Sequence, residues 1–179
     1  AQGHVVEVAQ GEYRDFVWLR GSDDADVSFE ASEGEVGSDG RIGVLRFAEG
    51  RLAAYALRNA RSLQIADTKV LASTAPVDAS LTIGQTLLEG YVRGPDDGYQ
   101  LRIPLVGTVE SANFSGTLNG RSEDGQFLIL DLGGEGQLSV ALSTSVSETE
   151  MSLPQSFTLS QNYPNPFNAE TNIQFRVSA

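Results

Sequence analysis

Short runs of β-branched and aromatic residues, cut by glycine and aspartate at close intervals, constrain this chain more than any other feature. Residues 4–8 (HVVEV), 13–19 (YRDFVWL), 27–31 (VSFEA) and 41–48 (RIGVLRFA) come first. Between them lie Gly11, the acidic turn 21–26 and the segment 32–40 (SEGEVGSDG), which reads as a loop or hairpin end. Runs at 69–73, 80–83, 87–93, 100–107, 109–118, 126–132 and 137–142 follow, with turns at 94–98 (GPDDG), 119–120, 123–125 and 133–136. Such runs are too short for helices and carry strand-forming side chains bounded by turn residues. Pro104 lies inside one of them and marks it as an edge or bulged strand, because proline donates no ladder hydrogen bond.

Only residues 51–66 (RLAAYALRNARSLQIA) compete with this pattern. Leu52, Tyr55, Ala56, Ala60 and Leu63 recur at helical spacing, and the Ala, Leu and Arg content favours one short helix. The expectation is therefore an all-β chain: an antiparallel β-sandwich, Ig-like or cohesin-like, of nine or ten short strands with at most one helix. A parallel sheet would need several crossover helices. The sandwich is expected to occupy residues 1–142, a Ser/Thr-rich linker 143–152, and a tail 153–179.

The residue inventory narrows function mostly by exclusion. The 179 residues include no cysteine, so disulfides, thiolate metal sites and cysteine nucleophiles are ruled out, though export is not. Twelve Lys and Arg face 24 Asp and Glu, a net charge of −12 that repels nucleic acid and anionic membrane surfaces. No run approaches the roughly 20 apolar residues of a membrane-spanning helix. The opening AQG suits a mature end left by signal-peptide removal and equally a trimmed chain.

His4 is the one histidine, and no GxSxG elbow is present, so a Ser-His-Asp triad is poorly supplied and a multi-histidine metal site is impossible. Calcium takes oxygen ligands, and Asp23, Asp24, Asp26, Asp96 and Asp97 are its candidates; both groups also read as ordinary solvated turns. A glycosidase carboxylate pair is unconstrained among so many acids. Tyr13, Phe16 and Trp18 would make a sugar-stacking platform if exposed, but Phe16 and Trp18 share a parity that Tyr13 does not, which favours core packing. Residues 113–115 (NFS) form a glycosylation sequon.

The tail is more specific. Phe157 and Leu159, then Gln161, Asn162, Tyr163, Pro164, Asn165, Pro166, Phe167 and Asn168, then Thr171, Ile173 and Phe175 resemble the start of the type A C-terminal sorting domain of type IX secretion cargo. Ala169 stands where that family often has proline. The physical reading agrees: Pro164 and Pro166 forbid helix, and Ile173, Phe175 and Val177 alternate on one face of a half-buried strand. The resemblance implies export through the type IX machinery and a secreted or cell-surface location. The family's sorting domain is an Ig-like sandwich whose later strands this sequence does not carry. Residues 153–179 are therefore not expected to form that fold alone, the remainder being either left out or removed in maturation.

A strand with one apolar face needs a sheet edge, in cis or in a neighbour. Donation of Ile173, Phe175 and Val177 to a neighbouring subunit would build a homopolymer. These observations suggest a non-enzymatic extracellular structural protein, a surface or filament subunit without cofactors. The alternative is a glycan- or protein-binding module of a secreted enzyme or adhesin, to which the loosely cohesin-like body corresponds.

Overall fold

The computed structural model describes residues 4–21, 26–105, 107–143, 157–159 and 175–177. The chain divides into two compact units, residues 1–144 and 145–179.

The first unit holds thirteen strands and, among the described residues, no helix. β1 (His4–Gln10) and β2 (Tyr13–Leu19) form one hairpin, and β3 (Val27–Ala31) and β4 (Gly34–Ser38) a second. β5 (Ile42–Ala48) leads into the two longest strands, β6 (Arg51–Ile65) and β7 (Thr68–Ile83). β8 (Leu87–Arg93), β9 (Tyr99–Pro104), β10 (Thr108–Phe114), β11 (Thr117–Glu123), β12 (Phe127–Gly133) and β13 (Glu135–Ser143) complete the unit.

Every ladder is antiparallel, and the long β6–β7 hairpin belongs to both layers of a sandwich. One sheet runs β1-β2-β5-β6-β7-β8-β13-β10, using residues 51–58 of β6 and 77–83 of β7. The other runs β3-β4-β6-β7-β9-β12-β11, using residues 62–65 of β6 and 68–73 of β7. The hairpin passes between layers at two bulges flanking Ala60, where Asn59 takes a left-handed φ of 53°. Bulging frees backbone amides, and carboxylates collect them. Asn59 N–H donates to Asp78 Oδ1 at 2.9 Å, and the N–H groups of Arg61 and Ser62 both donate to Asp39 Oδ1 at 2.8 Å. On β7, Pro76 falls in the matching bend, where it breaks no ladder bond.

The inner faces of both sheets form one core. Phe16 of β2 meets Phe29 of β3 across the layers at 5.2 Å and Phe47 of β5 edge-on at 5.9 Å. Leu45, Leu63, Leu71, Leu101 and Leu130 are fully buried among them.

The all-β sandwich expected from the sequence is present, and several of its details differ. Residues 51–66 are not a helix: 51–65 are strand β6. Its buried residues are Tyr55, Leu57, Ala60, Leu63 and Ile65. Alternation holds at each end, and the bulges insert three-residue steps from Leu57 to Ala60 to Leu63, which imitate a helical repeat. The strand count rises to thirteen because residues 34–38, expected as loop or hairpin end, form β4, residues 51–65 add β6 and residues 109–118 break in two at Ser115 and Gly116, while the runs 69–73 and 80–83 join in β7. Asn119 and Gly120 are a bulge inside β11 rather than a turn. β9 is an interior strand between β7 and β12, and Pro104 lies two residues past the last β7 pair, Ala72 with Arg102, where its missing N–H is not needed.

In the second unit β14 (Phe157–Leu159) and β15 (Phe175–Val177) pair antiparallel, Phe157 with Val177, Thr158 with Arg176 and Leu159 with Phe175. Residues 144–156, 160–174 and 178–179, including most of the proposed linker, lie outside the described residues.

Candidate interaction surface

β1 and β2 are joined by a two-residue turn in which Gly11 takes φ of 62°, a conformation glycine adopts without strain. Seven consecutive pairs follow in unbroken register, from Gln10 with Tyr13 to His4 with Leu19. β2 continues in register onto β5, Val17 opposite Val44 and Leu19 opposite Ile42.

That register sorts the side chains by parity. Phe16 and Trp18 point into the sandwich, and Trp18 is 1% exposed. Its Nε1–H donates to the Gly40 carbonyl at 3.2 Å, so the indole's polar atom is satisfied in the core. On the opposite face Val6 (57% exposed), Val8 (53%), Val17 (38%), Leu19 (63%) and Ile42 (42%) adjoin one another. Isolated exposed apolar residues need no explanation, but a contiguous set on neighbouring strands marks an interaction surface.

Polar groups frame this face. Arg46 holds Asp15 through two hydrogen bonds of 2.8 and 2.7 Å, and its guanidinium sits 5.6 Å from the Tyr13 ring centre. The Arg46 hydrogen bond, with its charge adding to it, draws the Asp15 carboxyl below the usual range against an opposing desolvation effect. Val8, Gln10, Gly11, Glu12, Tyr13, Asp15 and Arg46 line a shallow depression of about 570 Å³ at this end of the hairpin. On the inner side Arg14 reaches Glu7 at 3.1 Å and Glu33 at 3.6 Å, and it also donates to Ser32.

The residues singled out from the sequence are scattered. His4 is exposed at the start of β1. Asp26 pairs with Arg20 at 3.5 Å, while Asp23 and Asp24 lie outside the described residues. Asp96 and Asp97 sit in the turn between β8 and β9, whose backbone closes through Gly98 N–H to the Pro95 carbonyl at 3.3 Å and Gly134 N–H to the same carbonyl at 3.0 Å. No three His, Asp or Glu side chains gather to hold a metal among the described residues. Of the tail residues, Phe157, Leu159, Phe175 and Val177 fall in the described strands; Ile173 and residues 161–168 do not. The apolar outer face was missed at the sequence level, although Val6 and Val8 in residues 4–8 and Val17 and Leu19 in residues 13–19, at alternate positions of each run, carried its signal.

The chain matches no known protein-family model, and no curated protein matches it.

Proposed function

We propose that this chain is a non-enzymatic extracellular structural protein, exported by the type IX route, that works at the cell surface by joining other protein chains through the β1 edge. The observation that carries this reading is the β1 strand, which among the described residues pairs on one side only, beside a contiguous exposed apolar face. The sorting-domain resemblance of the tail supports the address. In a filament built by donating the tail strand to a neighbour, one edge of β15 is already taken by β14; joining through β1 leaves that pairing untouched.

Of the two binding-module alternatives, protein binding is served by the same surface. Glycan binding loses Trp18 as a stacking platform, since that ring is buried, and would fall to Tyr13 beside the Arg46 depression.

Expression in a type IX-competent host tests the reading. Replacing Tyr163, Pro164 and Phe167 together with alanine should abolish surface location. Val6→Lys should leave surface location intact and remove the chain's cross-linked complexes, because a charge on an edge strand blocks strand addition. Because the later sorting-domain strands are not part of this sequence, the test uses the chain followed by those strands of a type A sorting domain; periplasmic retention of that fusion, or complexes indifferent to Val6→Lys, would sink it.

A further inference from the structure

Among the described residues the two sheets end in four edge strands: β1 and β10 in one, β3 and β11 in the other. Folded proteins blunt such edges with bulges, charges, proline or short length. β10 is bulged between Val109 and Ser111, and β11 between Leu118 and Gly120. β3 is only five residues long. β1 has seven residues, no bulge, no proline and no lysine, and its one carboxylate, Glu7, is held by Arg14 at 3.1 Å.

The direction in which β1 presents its backbone follows from one bond. Arg20 N–H donates to the Arg41 carbonyl at 2.7 Å, continuing the β2–β5 register. Even-numbered residues of β2 therefore bond β5 and odd-numbered ones bond β1. On β1, His4, Val6, Val8 and Gln10 bond inward, while Val5, Glu7 and Ala9 aim their N–H and C=O groups at the open edge.

We propose that this edge pairs antiparallel with β1 of a second copy about a two-fold axis through Val6. The inference rests on the reading of β1 as an interaction edge and names its partner. Backbone parity admits self-pairing centred on Val6, Glu7 or Val8, while Val5 or Ala9 as centre leaves a shorter overlap. A Glu7 centre sets two carboxylates directly opposite each other, which is unfavourable. A Val8 centre extends its row into Asp15 on both sides. The Val6 centre alone continues an apolar row, Val44, Val17 and Val6 meeting the same three valines of the partner. It sets Val5 against the partner's Glu7, both bearing outward backbone groups, and Val8 against the partner's His4.

Cysteine placement reads this register directly, because the natural chain has none. At a non-hydrogen-bonded pair the Cα atoms are about 4.5 Å apart, within disulfide reach. In the purified full chain, Val6→Cys should oxidise to a dimer at least about tenfold faster than Leu118→Cys on the exposed β11 edge. His4→Cys mixed with Val8→Cys should give the heterodimer, with little homodimer of either. A Val8→Cys homodimer beside a monomeric Val6→Cys would overturn the proposal by register. So would a monomeric Val6→Cys whose Val5, Glu7 and Ala9 amides exchange slowly, since another strand then occupies the edge and the broader reading survives. A monomeric Val6→Cys with fast exchange at those amides also overturns it, leaving β1 to a different protein and the broader reading to the surface experiment.

Discussion

Trp18 lies flat against Gly43, its cross-strand partner on β5, so closely that a Cβ on Gly43 would stand 1.8 Å from the indole ring. Glycine is required here by a neighbour and not by backbone conformation, since its φ lies outside the left-handed region. Gly43→Ala forces the indole out of its slot and strains its bond to the Gly40 carbonyl. Overpacking of this kind costs about 3 kcal/mol. The denaturation midpoint should fall accordingly, with Trp18 fluorescence shifting red in the folded state. Gly37 in β4 is the control: a Cβ there meets nothing within 4 Å, so Gly37→Ala should stabilise by about 0.5 kcal/mol.

Tyr55 offers the opposite kind of substitution. It is buried on β6 between its pair partners Leu45 and Leu81, and its hydroxyl has no hydrogen-bond partner among the described residues. Burial pushes its phenol well above the ordinary range, so it stays protonated. A buried hydroxyl without a partner carries an uncompensated desolvation penalty. Tyr55→Phe should therefore raise stability by about 1 kcal/mol in urea unfolding; a loss of that size would show that the hydroxyl has a partner after all.

The Asp15–Arg46 pair makes stability depend on acid pH. Its folded carboxyl titrates below the unfolded value, so the contribution is present above about pH 4 and disappears as pH falls through the folded value. Unfolding free energies measured from pH 6 down to pH 2 should drop less steeply for Asp15→Asn than for the natural chain. Identical slopes would mean that the pair adds nothing, as many exposed ion pairs do.

Strand positions with simple alternation were legible in the sequence, and 13–19, 27–31 and 87–93 reappear unchanged as β2, β3 and β8. Failures cluster where the backbone departs from a regular ladder. The bulges around Ala60 convert a two-residue repeat into three-residue steps, and the Asn119–Gly120 pair that signals a turn supplies a bulge instead. β4 was hidden because Val36 is its one buried hydrophobic side chain, so its existence depends on pairing with β3 and β6 more than on its own pattern. The interaction face was read only in part, for a different reason: the shared parity of Phe16 and Trp18 pointed them to the core, but what lies on the other face was not drawn out. Residues 16–19 are apolar on both parities, so the inward turn of Phe16 and Trp18 was legible while the exposure of Val17 and Leu19 follows only from the packing of β2 against β3 and β5.

The crossing point of the long hairpin depends on Asn59, whose φ of 53° lies in the left-handed region that asparagine tolerates and β-branched residues resist. Its N–H bond to Asp78 Oδ1 survives any replacement but proline, so substitutions there isolate backbone conformation. Asn59→Gly should change stability by less than about 0.5 kcal/mol, whereas Asn59→Val should cost about 1–2 kcal/mol. Both can be read from urea midpoints, with amide exchange at Arg61 and Ser62 reporting whether their bonds to Asp39 persist. A valine variant as stable as the glycine one would mean that the bend between the two sheets is set by β7 and Pro76 alone.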